Sequence, residues 1–223
     1  MTKIANRNMK KTKKHPEITT RSISDLRDVL YQQESKDGKR IVYQVWRNQK
    51  AKDNLRYDIT IIFPRLIGKE LAKTYGHYHL NGESEWYEIL NGQAIFLFQK
   101  PADNYLKIKE NYAVFAKRGD KVIVPLGYGM TMINRGRSEL KVGNWIKNDV
   151  KNVYTPYKKM HGASYYCLKE ENQIKFAPNP HYQKNGALKI VKPRTVPSPL
   201  RNLQFLVQPL KYKRLLTAES LFR

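Results

Sequence analysis

Eight short runs rich in β-branched and aromatic residues fill the middle of this 223-residue chain, and turn-forming residues separate many of them. The runs cover residues 41–46, 57–63, 85–90, 93–100, 112–116, 121–125, 131–133 and 140–146. Strand-like runs of this length and spacing are typical of β-sandwiches and β-barrels. The sequence therefore predicts an all-β fold, either a sandwich or a barrel.

The flanks of this region have different patterns. Polar cap candidates followed by apolar Leu26, Val29 and Leu30 predict a short helix within residues 22–31. Residues 165–168 and 173–176 predict one more hairpin, and the chain beyond residue 178 is rich in proline and lysine. We expect a flexible basic segment at 1–20, one domain at 21–183 and an irregular basic extension at 184–223. That extension wraps the domain, crosses to a second subunit or stays loose.

Positive charge is the strongest compositional signal, because 42 Lys and Arg against 19 Asp and Glu give a net charge of +23. It lies mainly at the ends, with +8 in residues 1–50, +6 in residues 51–174 and +9 in residues 175–223. Such a charge attracts nucleic acids, membrane surfaces and phosphorylated small molecules. Nucleic acid stays open as a partner but is not favoured, since neither base-stacking aromatics among the cations nor a recognition helix is evident.

Other features of the composition narrow the class of protein. The single cysteine, Cys167, excludes a disulfide framework. No run reaches the roughly 18 apolar residues that a membrane-spanning helix needs. The basic first residues lack the apolar stretch of a secretory signal. The sequence therefore predicts a cytoplasmic protein that has no membrane partner.

His77 and His79 are candidate metal ligands, because side chains two residues apart point to the same face of an extended strand. Glu85 follows six residues after His79. Asn91 and Gly92 then separate two strand-like runs, which predicts a hairpin with a type I′ turn that can return Glu85 to the imidazoles. Two nitrogen ligands and one oxygen ligand suit iron, zinc, manganese or nickel. The remaining histidines, which have no partner at ligand spacing, are His15, His161 and His181.

Two stretches of the chain resemble the sequence motifs of the cupin barrel. The first contains His77, His79 and Glu85, and the second covers residues 119–134. The matching positions of the second motif are Gly119, Pro125, Gly127 and Asn134. Met130 stands where that motif has a histidine, so the fourth metal ligand of the motif is absent from this sequence.

More narrowly, GKEL at 68–71, KTYGHYH at 73–79 and EWY at 85–87 resemble cupin-type glucose-6-phosphate isomerases, the archaeal form of that family. The likeness runs from Arg21 to Pro180. It implies a double-stranded β-helix, or jelly-roll, barrel with a short N-terminal helix, and metal-dependent interconversion of glucose 6-phosphate and fructose 6-phosphate in glycolysis and gluconeogenesis. It also implies a homodimer, a sugar-phosphate substrate and a divalent ion, with Fe²⁺ favoured over Zn²⁺, Mn²⁺ and Ni²⁺.

The resemblance also implies roles for individual residues. His77, His79 and Glu85 hold the metal, and Glu85 is the catalytic residue. The residues that it assigns to the substrate are Thr74 and the Gly76 backbone at the phosphate, helped by Thr60 and Tyr43, with Tyr87 and Tyr154 along the sugar. Glu83 competes for the carboxylate position, but the glycine that the motif requires seven residues after the acid is Gly92, which favours Glu85.

Met130 leaves more than one functional interpretation open. A thioether is a weak ligand for the ions that imidazole and carboxylate bind. We favour an active isomerase in which two histidines and Glu85 suffice. The alternatives are a cupin that has lost its metal and binds a sugar phosphate without turnover, and a basic nucleic-acid-binding protein. The sequence leaves open whether Glu85 is ligand, base or both, and whether hydrogen moves as a proton or as a hydride.

Overall fold

The computed structural model describes residues 17–33, 37–171 and 173–223. Its strands are β1 (Ile18–Ser22), β2 (Ile41–Lys52), β3 (Leu55–Ile62), β4 (Leu66–Ile67), β5 (Glu70–Leu71), β6 (Tyr78–His79), β7 (Trp86–Asn91), β8 (Gln93–Pro101), β9 (Lys107–Lys117), β10 (Lys121–Ile123), β11 (Gly129–Asn134), β12 (Leu140–Lys147), β13 (Asn152–Val153), β14 (Tyr165–Glu170), β15 (Gln173–Pro178), β16 (Lys184–Asn185) and β17 (Leu188–Val191). Its α-helices are α1 (Ile23–Leu26), α2 (Thr155–Lys159) and α3 (Ala218–Leu221). Short 3-10 turns cover Arg27–Val29, Ser198–Leu200, Gln204–Leu206 and Pro209–Tyr212.

Two mainly antiparallel sheets form a barrel. One sheet contains β1, β2, β3, β12, β7 and β10 in that order, and the other contains β11, β8 and β9, with β16 and β17 pairing in parallel with β9. Between β7 and β12 the chain passes repeatedly from one sheet to the other, which is the jelly-roll connection of a cupin barrel. The predicted all-β cupin fold is confirmed, and each of the eight predicted runs overlaps an observed strand.

The inner faces of the two sheets follow the period-two pattern of the sequence. Along β12, Leu140, Val142, Asn144 and Ile146 are buried, while the lysines at either end are partly exposed. Side chains that alternate along a strand point to opposite faces, so the apolar set fills the space between the sheets. Phe96 and Phe98 of β8 contribute stacked rings 5.9 Å apart to the same core.

The predicted hairpin at Asn91 and Gly92 is wrong. β7 pairs with β10 and β12, whereas β8 pairs with β9 and β11, so the two strands belong to different sheets. Gly92 alone of the two has a positive φ, +84°, and a type I′ turn requires positive φ at both positions. A Cβ at Gly92 would lie 2.8 Å from the carbonyl oxygen of Glu139. Glycine is therefore needed where the chain crosses between the sheets.

The predicted N-terminal helix is confirmed in a shorter form. Ser22 and Asp25 make a capping box, in which Ser22 Oγ accepts the Asp25 amide at 3.3 Å and the Asp25 carboxylate accepts the Ser22 amide at 2.7 Å. Most of the predicted flexible segment lies outside the described residues. Its last part, residues 18–20, instead belongs to β1, because three consecutive β-branched residues favour pairing with β2.

The C-terminal extension packs on the barrel. β14 and β15 first form the predicted hairpin, and the chain then adds β16 and β17 to the edge of the second sheet. Leu200, Phe205 and Phe222 of the extension lie in the main apolar core. Phe222 stacks on Phe98 of β8 with ring centroids 5.3 Å apart. Among the described residues, no helix has the length and apolar character that crossing a bilayer requires.

Phe205 provides a test of how firmly the extension is held. Its side chain is 0% exposed, and its ring lies 6.4 Å from that of Trp86 on β7. We expect Phe205→Ala to lower the free energy of unfolding by about 3–5 kcal/mol, because it removes a buried ring and leaves a cavity. Leu210 lies in the same extension but is 78% exposed, so Leu210→Ala should change stability by less than about 0.5 kcal/mol. Urea unfolding followed by fluorescence distinguishes the two; equal losses would contradict the packing.

Candidate active site

One pocket opens at the end of the barrel and contains nearly all of the predicted site residues. Its atom-free volume, counted to the open mouth, is about 540 Å³. The predicted residues that line it are Tyr43, Thr60, Thr74, Gly76, His77, Glu85, Tyr87 and Tyr154, and Met130 lines it too. His79 lies directly behind this lining, where its ring centroid is 5.1 Å from that of His77. The structure thus brings all of the predicted site residues together.

His77, His79 and Glu85 form a cluster that can hold a metal ion. Each offers one donor atom, and the three donor atoms lie within 4.8 Å of one another. The pairing of β6 with β13 fixes His79, and His77, which directly precedes β6, is held by an isolated bridge to Met130. The period-two argument from the sequence predicted this pair correctly, although Glu85 reaches it through the loop before β7 and not through a hairpin.

The tautomer of His79 fits a metal ligand. His79 Nδ1 lies 2.8 Å from the carbonyl oxygen of Glu83. Because a carbonyl can only accept, Nδ1 carries the proton and Nε2 has a lone pair. His79 Nε2 is buried and has no hydrogen-bond partner among the described residues, although it lies 3.4 Å from a carboxylate oxygen of Glu85. A buried acceptor without a donor is costly, and a bound cation would satisfy it.

The pKa values of the two imidazoles shift in opposite directions. Burial lowers the pKa of His77 well below its usual value, and His79 and Arg47 lower it further. His77 is therefore neutral near pH 7, as metal binding requires. Burial also acts to lower the pKa of His79, but the nearby Glu85 carboxylate and the carbonyl and carboxylate of Glu83 together outweigh it, so that the net shift is upward.

Two neutral donors hold the Glu85 carboxylate. Tyr87 Oη donates to Oε2 at 2.6 Å, and Asn144 Nδ2 donates to Oε1 at 2.6 Å. Burial and the nearby carboxylate raise the pKa of Tyr87 well above its usual value, which keeps its hydroxyl protonated as a donor. Glu83, the rival carboxylate, instead accepts from the Asn81 amide at 3.0 Å and from its side chain at 2.9 Å. Glu85, and not Glu83, therefore faces the histidines.

Asn144 is a residue of this site that sequence reasoning missed. It lies 59 positions from Glu85 and reaches the carboxylate because β12 pairs with β7, with Asn144 opposite Tyr87. Its side chain is buried, on the face of β12 that is otherwise apolar. The signal in the sequence that could have identified Asn144 is a polar amide at a position of β12 whose period-two neighbours are leucine, valine and isoleucine.

The phosphate-binding candidates Tyr43, Thr60, Thr74 and Gly76 all line the pocket. Thr74 Oγ1 accepts the Met132 amide at 3.0 Å, which fixes the threonine against β11. Gly76 has φ of +88°, and a Cβ there would lie 2.3 Å from Thr131 Oγ1. Only glycine therefore allows the backbone to pass at this point. Burial raises the pKa of Tyr43 to about 12, so that its hydroxyl is a protonated donor at neutral pH.

The mouth of the pocket contains cations that the sequence did not single out. Arg47 and Arg56 line it and both approach the buried Asp58, whose Oδ2 lies 3.5 Å from Arg47 Nη1 and 3.0 Å from Arg56 Nε. Tyr154 is 40% exposed at the same mouth, and its ring centroid lies 5.7 Å from that of His77. An anionic substrate would therefore meet positive charge before it reaches the histidines.

Met130 occupies the position opposite the cluster. Its backbone exchanges hydrogen bonds with His77, with N to O distances of 2.9 and 3.1 Å. Its side chain is 1% exposed, and Sδ lies 3.9 Å from the Tyr87 hydroxyl. The thioether thus closes the pocket beside Glu85 with an apolar wall in place of an imidazole.

Two of the three histidines set aside on sequence grounds are also neighbours. The rings of His161 and His181 lie 4.3 Å apart, and the side-chain amide of Gln33 is 2.8 Å from His161 Nδ1. They have no partner at ligand spacing in the sequence, and they become neighbours because the turn after α2 folds against the turn after β15. His15 lies outside the described residues. Within the described part of the chain, no carboxylate or cysteine joins the pair in a possible metal cluster.

Comparisons with known proteins agree with this geometry. A relative from Thermococcus onnurineus, a glucose-6-phosphate isomerase, is 27% identical over 146 residues, which are 64% of this chain and 74% of the relative. The enzyme of that name from Thermococcus gammatolerans is 25% identical over 169 residues, 73% of this chain and 86% of the relative. Among solved structures, an oxalate decarboxylase from Lactobacillus farciminis matches 50% of this chain and 30% of its own, with 19% identity and a TM-score of 0.40. A likeness of that size supports no conclusion about activity.

The family model described as glucose-6-phosphate isomerase matches residues 21–184, which include every residue of the site. Because this match spans well over half of the chain, the protein belongs to the glucose-6-phosphate isomerase family.

Proposed function

We infer that the protein is a metal-dependent glucose-6-phosphate isomerase that interconverts glucose 6-phosphate and fructose 6-phosphate. The observation that carries this inference is the convergence of three donor atoms within 4.8 Å in a chain that matches the family. The unpartnered Nε2 of His79 and the lone pair of neutral His77 support metal binding there. Polar groups suited to a phosphate lie in the same pocket.

The donor set bears on the choice of metal. Two imidazole nitrogens and one carboxylate oxygen suit borderline divalent ions, and a set of this kind leaves positions for water and substrate. We favour Fe²⁺, with Zn²⁺, Mn²⁺ and Ni²⁺ as the other candidates. When bound, such an ion supplies Lewis-acid polarisation of the carbonyl that moves between C1 and C2. His77, His79 and Glu85 would hold it.

Glu85 is the residue best placed to transfer a proton. Two carboxylates occur among the described residues that line the pocket, and Asp58 is held in ion pairs with Arg47 and Arg56. Glu85 accepts hydrogen bonds from two neutral donors, Tyr87 and Asn144, which orient its carboxylate without neutralising its charge. A carboxylate that is oriented and kept out of water can accept and return a proton during isomerisation.

The phosphate group binds away from the reacting carbons and positions them. Tyr43, Thr60 and Thr74 present hydroxyl groups to the pocket, and Gly76 lets the backbone approach. Arg47 and Arg56 attract the dianion to the mouth. Neutral hydrogen-bond donors thus surround the position proposed for the phosphate, and positive charge lies at the mouth through which it enters.

The direct test uses the full chain after removal of bound metal with a chelator. Fructose 6-phosphate is added together with Fe²⁺, Zn²⁺, Mn²⁺ or Ni²⁺, and glucose 6-phosphate is measured with a coupled dehydrogenase. We expect turnover that depends on added metal and is lost again with excess chelator. If no metal produces glucose 6-phosphate above the rate without protein, the inference is wrong.

Tyr43 gives a prediction that is specific for the phosphate. We expect Tyr43→Phe to raise KM for fructose 6-phosphate roughly 10-fold or more with little change in kcat, because a hydrogen bond to a charged group contributes about 1.5–3 kcal/mol. The matched control is Tyr165→Phe, which removes a hydroxyl that donates to the Gly186 carbonyl at 3.0 Å away from the pocket. A Tyr43→Phe variant that changes kcat and leaves KM unaltered would place the phosphate elsewhere.

Met130 favours one second candidate, a cupin that binds a sugar phosphate without turnover. Its side chain is 1% exposed at the position of the missing ligand, and a thioether holds these ions weakly. Two measurements distinguish the isomerase from the sugar-phosphate-binding cupin: metal analysis of the protein as purified, and calorimetric titration with glucose 6-phosphate. Binding of the sugar phosphate by a protein that takes up no metal would favour the second candidate.

A further inference from the structure

The C-terminal extension changes one end of the second barrel sheet. β17 pairs in parallel with β9 and brings Lys192, which follows β17, to the end of this sheet. Lys117 ends β9, and its cross-strand partner Gln93 accepts the amide of Arg135 at 3.1 Å. Arg135 directly follows β11, Lys117 ends β9 and Lys192 directly follows β17, so the three lie along one end of this sheet, in which neighbouring strands are about 5 Å apart.

This row is part of a longer concave surface. Three surface hollows adjoin there. The central hollow, which contains Lys117 and Lys192, shares Arg135 with the hollow that contains Arg137. It shares Asp120 and Pro193 with the hollow that contains Arg194 and Arg201. We call this surface the basic groove. The cations that define it are Lys117, Arg135, Arg137, Lys192, Arg194 and Arg201. Among the residues that the structure describes, none lines both the groove and the candidate active site.

The protein balances only part of the positive charge of the groove, where Lys121 also lies and pairs with Glu88 at 3.0 Å. None of its six defining cations has an ion-pair partner among the residues that the structure describes, and Arg135 Nε is buried without a hydrogen-bond partner there. Asp120 lines the groove as well and offsets one of these charges, because the Lys117 amide that its carboxylate accepts at 2.9 Å is neutral. Closely spaced like charges repel one another, and a bound polyanion relieves that repulsion.

Two aromatic side chains lie among these cations. Trp86 lines the hollow that contains Arg194 and Arg201, and Phe115 lines the hollow that contains Lys117. Both rings are partly exposed, and the Arg135 guanidinium lies 5.2 Å from the centre of the Phe115 ring. Grooves that bind single-stranded nucleic acids combine cations along the backbone with aromatic surfaces on which bases stack.

We propose that the basic groove binds single-stranded nucleic acid, with phosphates along Arg135, Lys117 and Lys192 and with bases against Trp86 and Phe115. A single strand is favoured over a duplex because only unpaired bases can stack on side chains. It is favoured over a membrane because the cations line a concave surface. This role goes beyond the proposed isomerase and does not depend on it.

The test measures fluorescence anisotropy of labelled single strands of about 15 nucleotides, as RNA and as DNA of one mixed sequence, with the matching duplex and anionic phospholipid vesicles as comparison ligands. We expect at least one of the single strands to bind more tightly than the duplex. With roughly five phosphates contacted, affinity should fall about 100-fold between about 50 and 200 mM salt. No single-strand binding at the lower salt, or binding to vesicles alone, would overturn the proposal.

A matched pair of variants tests the location. Lys117→Gln with Lys192→Gln removes one cation of β9 and one of the extension at the groove. Lys107→Gln with Lys184→Gln removes the same charge from the opposite end of β9, where these exposed lysines pair. The groove variant should lose two phosphate contacts, so that its affinity falls only about 20-fold over the same salt range. The control should keep the slope of the parent; equal slopes for both variants would show general charge attraction and overturn the proposal.

Tryptophan fluorescence supplies a measurement that surface charge alone would not affect. The chain has three tryptophans, Trp46, Trp86 and Trp145, and only Trp86 lines the groove. We expect single strands to quench the fluorescence of the parent and of Trp46→Phe, and we expect this quenching to be largely lost in Trp86→Phe. Thermal unfolding followed by circular dichroism checks that each variant is folded. Quenching that persists in Trp86→Phe would exclude base stacking at this residue.

Discussion

Replacing Glu85 with glutamine is expected to lower kcat/KM for fructose 6-phosphate by about 10³-fold or more, the loss that follows removal of a general base. The amide cannot accept a proton, and it offers a cation a much weaker oxygen than a carboxylate does. Metal affinity should therefore fall together with turnover. Glutamine keeps the shape of the side chain, so the hydrogen bonds from Tyr87 and Asn144 can in part be retained.

The matched control is Glu83→Gln, two residues away in the same loop. Its side chain accepts hydrogen bonds from Asn81 and does not face the histidines. This variant should keep metal affinity and kcat/KM within a few-fold of the parent. Steady-state kinetics with each metal, together with chelator-competition titrations, measure both quantities. If Glu83→Gln is the more damaging change, the carboxylate has been assigned to the wrong residue.

The sequence was sufficient for those parts of the site that are local in the chain. His77 and His79 depend only on the period of an extended strand, and the structure places their rings 5.1 Å apart as that period requires. Likewise, the strand runs could be located because β-branched and aromatic residues favour extended backbone wherever they pair. Both conclusions can be reached without information about which strands are neighbours in the sheets.

Contacts between distant segments could not be predicted in this way. The hairpin at Asn91 failed because turn residues show that a strand ends but not which sheet the next strand joins. Asn144 reaches Glu85 only because β12 lies between β3 and β7. Similarly, the aromatics of the basic groove are far in sequence from the cations of the extension, so no local pattern of alternating rings and charges exists.

Changing Met130 to histidine is expected to raise metal affinity by at least about 100-fold, since disturbing even the partners of metal ligands typically changes affinity 10- to 100-fold. Residue 130 is held across from His77 by two backbone hydrogen bonds, and its side chain already faces Tyr87 and the pocket. An imidazole is smaller than the methionine side chain, so that it can enter without overpacking. Titration with Zn²⁺ or Fe²⁺ against a competing chelator measures the gain.

Met132→His is the matched control, because residue 132 lies on the same strand and lines the same pocket, about 6.6 Å further along. It should produce no comparable gain in metal affinity, because an imidazole at residue 132 would project from the part of the pocket next to Thr74, whose hydroxyl oxygen accepts the amide of residue 132. If Met130→His raises metal affinity and the turnover that the parent already shows, the natural protein is an isomerase whose metal is held weakly by three ligands. If it creates turnover where the parent has none, the natural pocket is a binding site for a sugar phosphate. If neither the parent nor Met130→His binds metal or turns over substrate, the three donor atoms do not form a metal site, and the inference of a metal-dependent isomerase fails with them.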